Sequence, residues 1–200
     1  MEYNKLIIFD LDGVLIESKE IHYEAFNRAV SAIDPKYALT REEHLSKYDG
    51  LASNTKLDLL IAEKGFPADK RYIVWELKQS FTEEMLEERL NPDFNIISIL
   101  KYLKAHDFKI ACASNAIRRT VDTSLKALHI ESYFDFTISN EEVVNKKPYP
   151  EMYWECMTKC NAIPSTTLIV EDSFVGRQGA IDSGAQLLAI KDSFDLSKEK

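Results

Sequence analysis

Two aspartates stand one residue apart in Asp10-Leu11-Asp12-Gly13, directly after the apolar run Leu6-Ile7-Ile8-Phe9. Carboxylates this close repel each other, so at neutral pH the pair calls for a cation or a shared proton. A hard divalent ion with oxygen ligands is the natural partner, and Mg²⁺ is the commonest where phosphate is the substrate. Gly13 permits the sharp turn behind them. The ordinary alternative is an aspartate capping a turn or helix after a strand, and a motif this short does not exclude it.

Three further segments add chemistry of the same kind. Ser114-Asn115 follows the run Ile110-Ala111-Cys112-Ala113. A hydroxyl there, with amide N–H groups at the start of the next helix, makes a phosphate cradle, although Ser and Asn cap helices widely. Lys147, before Pro148-Tyr149-Pro150, offers an ammonium able to neutralise charge building on a transferring phosphoryl group; a solvated basic loop is its bland counterpart. Glu171-Asp172 follows Leu168-Ile169-Val170 and supplies a second acidic pair where a metal would complete its shell.

The elements that must position these residues are legible as alternating patterns. Leu6–Phe9, Ile110–Ala113, Leu168–Val170 and Leu187–Ile190 are short runs apolar on both faces, as buried parallel strands are. Phe136–Ile138 is a weaker run of the same kind. Between them, Ile96, Ile97, Leu100 and Leu103 share one helical face, as do Ile117, Val121, Leu125 and Leu128. Strands alternating with helices predict an α/β fold, a Rossmann-like parallel sheet flanked by helices. Asp10, Ser114 and Glu171-Asp172 then all fall at carboxyl ends of strands, where open parallel sheets bind ligands.

The stretch between Ile16 and Asn91 reads differently. Ile21, Ala25, Phe26, Ala29 and Val30 form one amphipathic stripe, Leu57, Leu60 and Ile61 a second, and Ile73, Leu77, Phe81 and Met85 a third. Pro35, Gly50, Gly65 with Pro67, and Pro92 punctuate them. The expected organisation is an α/β catalytic core of residues 1–15 and 92–200 with an all-helical cap domain, residues 16–91, inserted.

Lys and Arg number 25 against 33 Asp and Glu, a formal net charge of -8. That balance argues against a nucleic-acid surface but not against a small phosphate ligand, because a metal ion reverses the local field. Cys112, Cys156 and Cys160 are too few and too unevenly placed for a disulfide framework. Cys156 and Cys160 share a helix face with no His or second Cys pair to complete a zinc site. No apolar run reaches bilayer length, and Met-Glu-Tyr-Asn-Lys lacks the start of a signal peptide. A cytoplasmic protein with no membrane partner is the expectation.

Taken in order, Phe-Asp-Leu-Asp-Gly-Val-Leu (9–15), Ala-Ser-Asn (113–115), Lys-Lys-Pro-Tyr-Pro (146–150) and Val-Glu-Asp-Ser-Phe-Val-Gly (170–176) resemble the haloacid dehalogenase-like superfamily of phosphatases. Within it the chain is similar to the β-phosphoglucomutase and phosphoglycolate phosphatase-like branch, whose helical cap lies between the first two motifs. The resemblance covers nearly the whole chain and is weakest from about residue 35 to 92. It implies that Asp10 attacks phosphorus to give an aspartyl-phosphate, while Asp12 protonates the leaving alkoxide and later deprotonates the hydrolytic water. It also implies Mg²⁺ held by Asp10, the main-chain carbonyl of Asp12 and Asp172, with Glu171 close by, and phosphate oxygens gripped by Ser114 and Lys147. The implied partner is a small phosphorylated metabolite, and the implied state a monomer.

The departures choose among activities. β-Phosphoglucomutases usually carry an Arg soon after the cap glycine and a Lys close after the second-motif serine. This chain has Asp49-Gly50-Leu51-Ala52-Ser53-Asn54-Thr55-Lys56 and Asn115-Ala116-Ile117 instead. A mutase holds two phosphates at once, so the missing cations favour a phosphatase, with a phosphomutase or a catalytically silent binding module as alternatives. Ser53, Asn54 and Lys56 are then candidates to hydrogen-bond one small polar substrate. Glu17 stands where the branch usually has Asp. His22 is read as a helix-surface or hinge residue, and Gly176, Gly179 and Gly184 as sites where the last helix packs close to the sheet.

Overall fold

A computed structural model describes residues 3–48 and 51–197. Asp49 and Gly50, read above as cap punctuation, lie outside the described residues, as do Met1, Glu2 and the charged end Lys198-Glu199-Lys200. Along the chain, β1 (Leu6–Phe9) is followed by α1 (Lys19–Ser31), α2 (Arg41–Glu43), α3 (Ser53–Lys64) and α4 (Arg71–Arg89). Then come α5 (Phe94–Ala105), β2 (Lys109–Ala113), α6 (Arg118–Ala127) and β3 (Phe136–Ile138). The order closes with α7 (Glu151–Lys159), β4 (Thr167–Glu171), α8 (Phe174–Ser183) and β5 (Gln186–Ala189). The chain separates into two compact units, Met1–Ser18 with Arg89–Lys200, and Lys19–Glu88.

The discontinuous unit is an α/β layer. Its five strands pair in the order β3-β2-β1-β4-β5, all parallel. Ile7 lies opposite Ile110 on one side and Leu168 on the other, which puts β1 in the middle of the sheet. All four β1 residues are buried, as a run apolar on both faces requires. Leu6 and Ile8 pack with Ala111, Ala113 and Ile169 against Met152, Tyr153, Cys156 and Met157 of α7. The i, i+1, i+4, i+5 spacing of those four gives α7 one broad apolar stripe. The run at 187–190 differs from expectation. β5 is an edge strand with one neighbour, Leu188 is 44% exposed, and only Ile190, beyond the strand, is buried.

The inserted unit is helical. Ile21, Ala25, Phe26, Ala29 and Val30 of α1 are buried, with Leu57 and Leu60 of α3 and Val74 of α4. Thr40 starts α2 with a reciprocal capping box to Glu43. The third stripe holds in part: Met85 is buried, and Leu77 and Phe81 pack against the buried cluster of this unit. α4 buries Val74, Lys78, Gln79, Thr82, Met85 and Leu86, whereas Ile73 is 47% exposed. Three of those positions are polar, so a pattern counted from apolar residues misses part of the buried face. Among the described residues no helix is long and apolar enough to cross a membrane.

Two leucine truncations separate the sheet's centre from its edge. Leu6→Ala, at a wholly buried position, should cost about 3 kcal/mol of unfolding free energy in urea, by the usual cavity penalty. Leu188→Ala, at the exposed edge, should cost under about 1 kcal/mol. Equal losses at the two positions would contradict the assignment of β5 as an edge.

Candidate active site

Because β1 leads toward β2 and β3 on one side while β4 and β5 lie on the other, the strand order reverses beside β1. A crevice at the carboxyl ends of β1 and β4 follows from that reversal. Asp10 follows β1 there, and Glu171 ends β4 with Asp172 next. Ligand oxygens of Asp10, Glu171 and Asp172 all lie within 4.8 Å of one another.

One lysine joins them. Lys147 Nζ donates to Asp10 Oδ1 at 2.6 Å, to Glu171 Oε1 at 2.6 Å and to the Ala113 carbonyl at 2.7 Å. Its side chain is 2% exposed, against 9% for Asp10 and 0% for Glu171. Burial works against the ammonium, but the charges of Asp10, Tyr153 and Glu171 outweigh it and hold the lysine well above its ordinary pKa. Burial pushes Asp10 well up; Lys147 opposes this, and Glu171 and Asp12 add to it. Burial also opposes ionisation of Glu171, yet Lys147 and the bonds from Tyr153 and Ser173 bring it below its usual value. One ammonium cannot neutralise three carboxylates, and the excess falls on Asp10.

The donor set fits a hard divalent cation. It is all carboxylate oxygen, and ionised it exceeds the lysine's charge by two. Gly13 makes the space: at φ +84°, a Cβ there would overlap the Asp172 carboxylate. The turn is tied by Gly13 N–H to the Ile16 carbonyl at 2.7 Å and Leu15 N–H to the Leu11 carbonyl at 2.9 Å. The Asp12 carboxylate lies outside the converging group and accepts a hydrogen bond from buried Ser18 Oγ.

Other candidates have partners that define what they do. Ser114 is buried and its Oγ accepts from Ala116 N–H at 3.0 Å. The Asn115 side chain forms a reciprocal pair with the main chain of Lys147, donating to its carbonyl at 3.2 Å and accepting from its N–H at 3.1 Å. That amide therefore seats the lysine. The Lys147–Pro148 peptide is cis. Ser53 and Lys56 belong to the first turn of α3 in the inserted unit, where Lys56 is buried with its ammonium 5.7 Å from the centre of the Phe26 ring. His22 Nδ1 lies 3.4 Å from Lys78 Nζ in that unit. Arg177 Nη2 donates to the Ile190 carbonyl at 2.6 Å.

Several residues that shape the site carry no sequence signal of their own. Arg118 reaches Thr137 Oγ1 at 2.8 Å, the Thr137 carbonyl at 3.0 Å and both Glu142 oxygens at 2.9 and 2.7 Å. Glu142 also accepts from Ser139 N–H at 2.6 Å, bracing the loop that runs to Lys147. Gly176 lets α8 approach the end of β4, as the sequence suggested, and it also makes room for the site: a Cβ there would overlap the Glu171 carboxylate. The one available clue was its place five residues after Glu171 in the last motif.

Comparison with known proteins agrees with the fold. A family model described as haloacid dehalogenase-like hydrolase matches residues 7–190. The "Phosphorylated carbohydrates phosphatase" of Thermotoga maritima is 28% identical over 183 residues, covering 90% of this chain and 82% of that protein. The structure of CbbY from Rhodobacter sphaeroides in complex with phosphate superposes with a TM-score of 0.81 at 23% identity, over 92% of this chain and 84% of that one. A β-phosphoglucomutase from Clostridium difficile gives a TM-score of 0.71 at 21% identity, over 93% and 84% of the two chains.

The Arg118–Glu142 brace has a pH signature. The guanidinium's hydrogen bonds lower the Glu142 carboxyl from 4.5 to about 2. A depressed folded pKa stabilises above the unfolded value and is lost as pH falls through the folded one. Glu142→Gln should therefore be less stable than wild type above pH 4.5, with the gap closing as pH falls toward about 2. Urea unfolding at a series of pH values measures it, and a gap constant across that window would contradict the pairing.

Proposed function

The chain belongs to the haloacid dehalogenase-like hydrolase family, and from that premise we propose a Mg²⁺-dependent phosphatase that hydrolyses a small phosphorylated metabolite through an aspartyl-phosphate at Asp10. The observation that carries the reading is Asp10 itself: a buried carboxylate at the end of the central strand, bonded to a buried lysine and converging with Glu171 and Asp172.

Asp10 attacks phosphorus in line, forming the phospho-aspartate as the bond to the leaving oxygen breaks. Asp12 gives a proton to the departing alkoxide and then takes one from the water that cleaves the intermediate. Its bond from Ser18 Oγ holds the carboxyl group in place for both transfers. Lys147 offsets charge on the nucleophile and on the non-bridging oxygens, and Ser114 donates to those oxygens. Mg²⁺ would be held by Asp10, Asp172 and the main-chain carbonyl of Asp12, with Glu171 beside it, and would neutralise charge on the phosphoryl group.

Ser53 and Lys56 belong to substrate selection in this reading. The name of the Thermotoga maritima relative supports a phosphorylated small molecule, and the net charge of -8 disfavours a nucleic acid. The chain lacks the Arg and Lys that β-phosphoglucomutases usually carry for a second phosphate, which supports a phosphatase; we propose that it acts as a monomer.

Phosphate release from a panel of phosphomonoesters, with and without Mg²⁺, tests the proposal. Wild type should release phosphate only with the metal, and Asp10→Asn should lose at least about a thousandfold in kcat, as loss of a nucleophile does. Sugar-phosphate isomerisation without free phosphate would mark a mutase. A folded, Mg²⁺-supplied protein inert toward every ester would mark a silent module.

A further inference from the structure

Tyr153 lies outside the four motifs, in the first turn of α7, with its N–H bonded to the Pro150 carbonyl at 3.0 Å. It is wholly buried. Its hydroxyl is 2.9 Å from Glu171 Oε1 and 3.2 Å from the Gly176 carbonyl. A phenol has one proton to give, and the nearer, charged oxygen of Glu171 is the stronger acceptor. The Lys147 ammonium stands 5.2 Å from the centre of the same ring, within reach of the attraction between a cation and an aromatic face.

Glu171 is thereby held at both oxygens. Oε1 accepts from Lys147 and Tyr153, and Oε2 accepts from Ser173 N–H at 3.2 Å and Ser173 Oγ at 3.1 Å. The Tyr153 hydroxyl and the Lys147 ammonium share one acceptor, Oε1. Without the hydroxyl that oxygen keeps a single donor, and the carboxylate on which the ammonium rests loses one of its fixed contacts. We infer that Tyr153 is a positioning residue for phosphoryl transfer, its hydroxyl fixing Glu171 and, through Glu171, the Lys147 ammonium against Asp10. The inference rests on the phosphatase reading above.

The test compares kcat, KM and Tm for wild type, Tyr153→Phe, Met157→Ala, Glu171→Gln and the Tyr153→Phe/Glu171→Gln double variant. Tyr153→Phe keeps the ring and should lower kcat about tenfold, the scale of supporting contacts around a reactive centre. Its KM should stay within about twofold, since binding and chemistry separate in this comparison. Met157→Ala, a buried core truncation on the same helix, should lower Tm at least as far with kcat unchanged. Added to Glu171→Gln, the Tyr153 change should cost less than about twofold more, because both act on one path. A Tyr153→Phe enzyme within about twofold of wild type in kcat, or effects that multiply in the double variant, would overturn the inference. So would a kcat loss shared by Met157→Ala in step with Tm, or a Tyr153→Phe chain that fails to fold where Met157→Ala folds. A wild type that releases no phosphate would overturn the phosphatase reading itself; active wild type with indifferent Tyr153→Phe overturns the inference alone.

Discussion

An ammonium has three protons to donate, and Lys147 has three acceptors for them: Asp10 Oδ1, the Ala113 carbonyl and Glu171 Oε1. Those acceptors sit at the ends of β1, β2 and β4, three adjacent strands of one sheet. The lysine is therefore a clamp across the carboxyl edge of the sheet, and the geometry of the site depends on it. Buried ion pairs contribute little net stability, whereas removing one partner costs about 3–5 kcal/mol through the charge left behind. Such an arrangement holds a particular geometry more than it strengthens a fold.

The lysine is delivered by a loop, and the loop is fastened in turn. Asn115 matches the Lys147 peptide group for group, and Asn140 N–H donates to the Ala116 carbonyl at 3.0 Å. Arg118 ties the start of α6 to β3 and to Glu142. At the far side, Glu171 sits in a pocket made by the absence of a side chain at Gly176 and closed by Ser173 and Tyr153. Rigidity is thus built from main-chain contacts on one side and a tyrosine on the other.

The parts of this arrangement legible in the sequence are those with a local signature. A four-residue apolar run ending in Asp10 announces a central strand, and acidic residues after two such runs announce a shared edge. The haloacid dehalogenase-like order of motifs placed Asp10, Ser114, Lys147 and Asp172 in one family context. Contacts between distant segments leave no such trace. Tyr153 reads as one more residue of an amphipathic stripe, and Arg118 as a surface cation. Lys78, Gln79 and Thr82 add buried polar positions to α4 that no count of apolar residues finds. Leu187–Ile190 reads as interior because its composition is apolar, while the exposure of Leu188 follows from β5 being last in the strand order.

The central place of β1 has a consequence for how the protein is made. Its first neighbour, β2, begins at Lys109 and its second, β4, at Thr167. Until Lys109 and the residues after it have emerged, β1 has no strand beside it, and such apolar edges recruit other chains. The bond from Lys147 to Asp10 spans 137 residues of sequence, so the clamp on Asp10 forms only once the segment carrying Lys147 has been made.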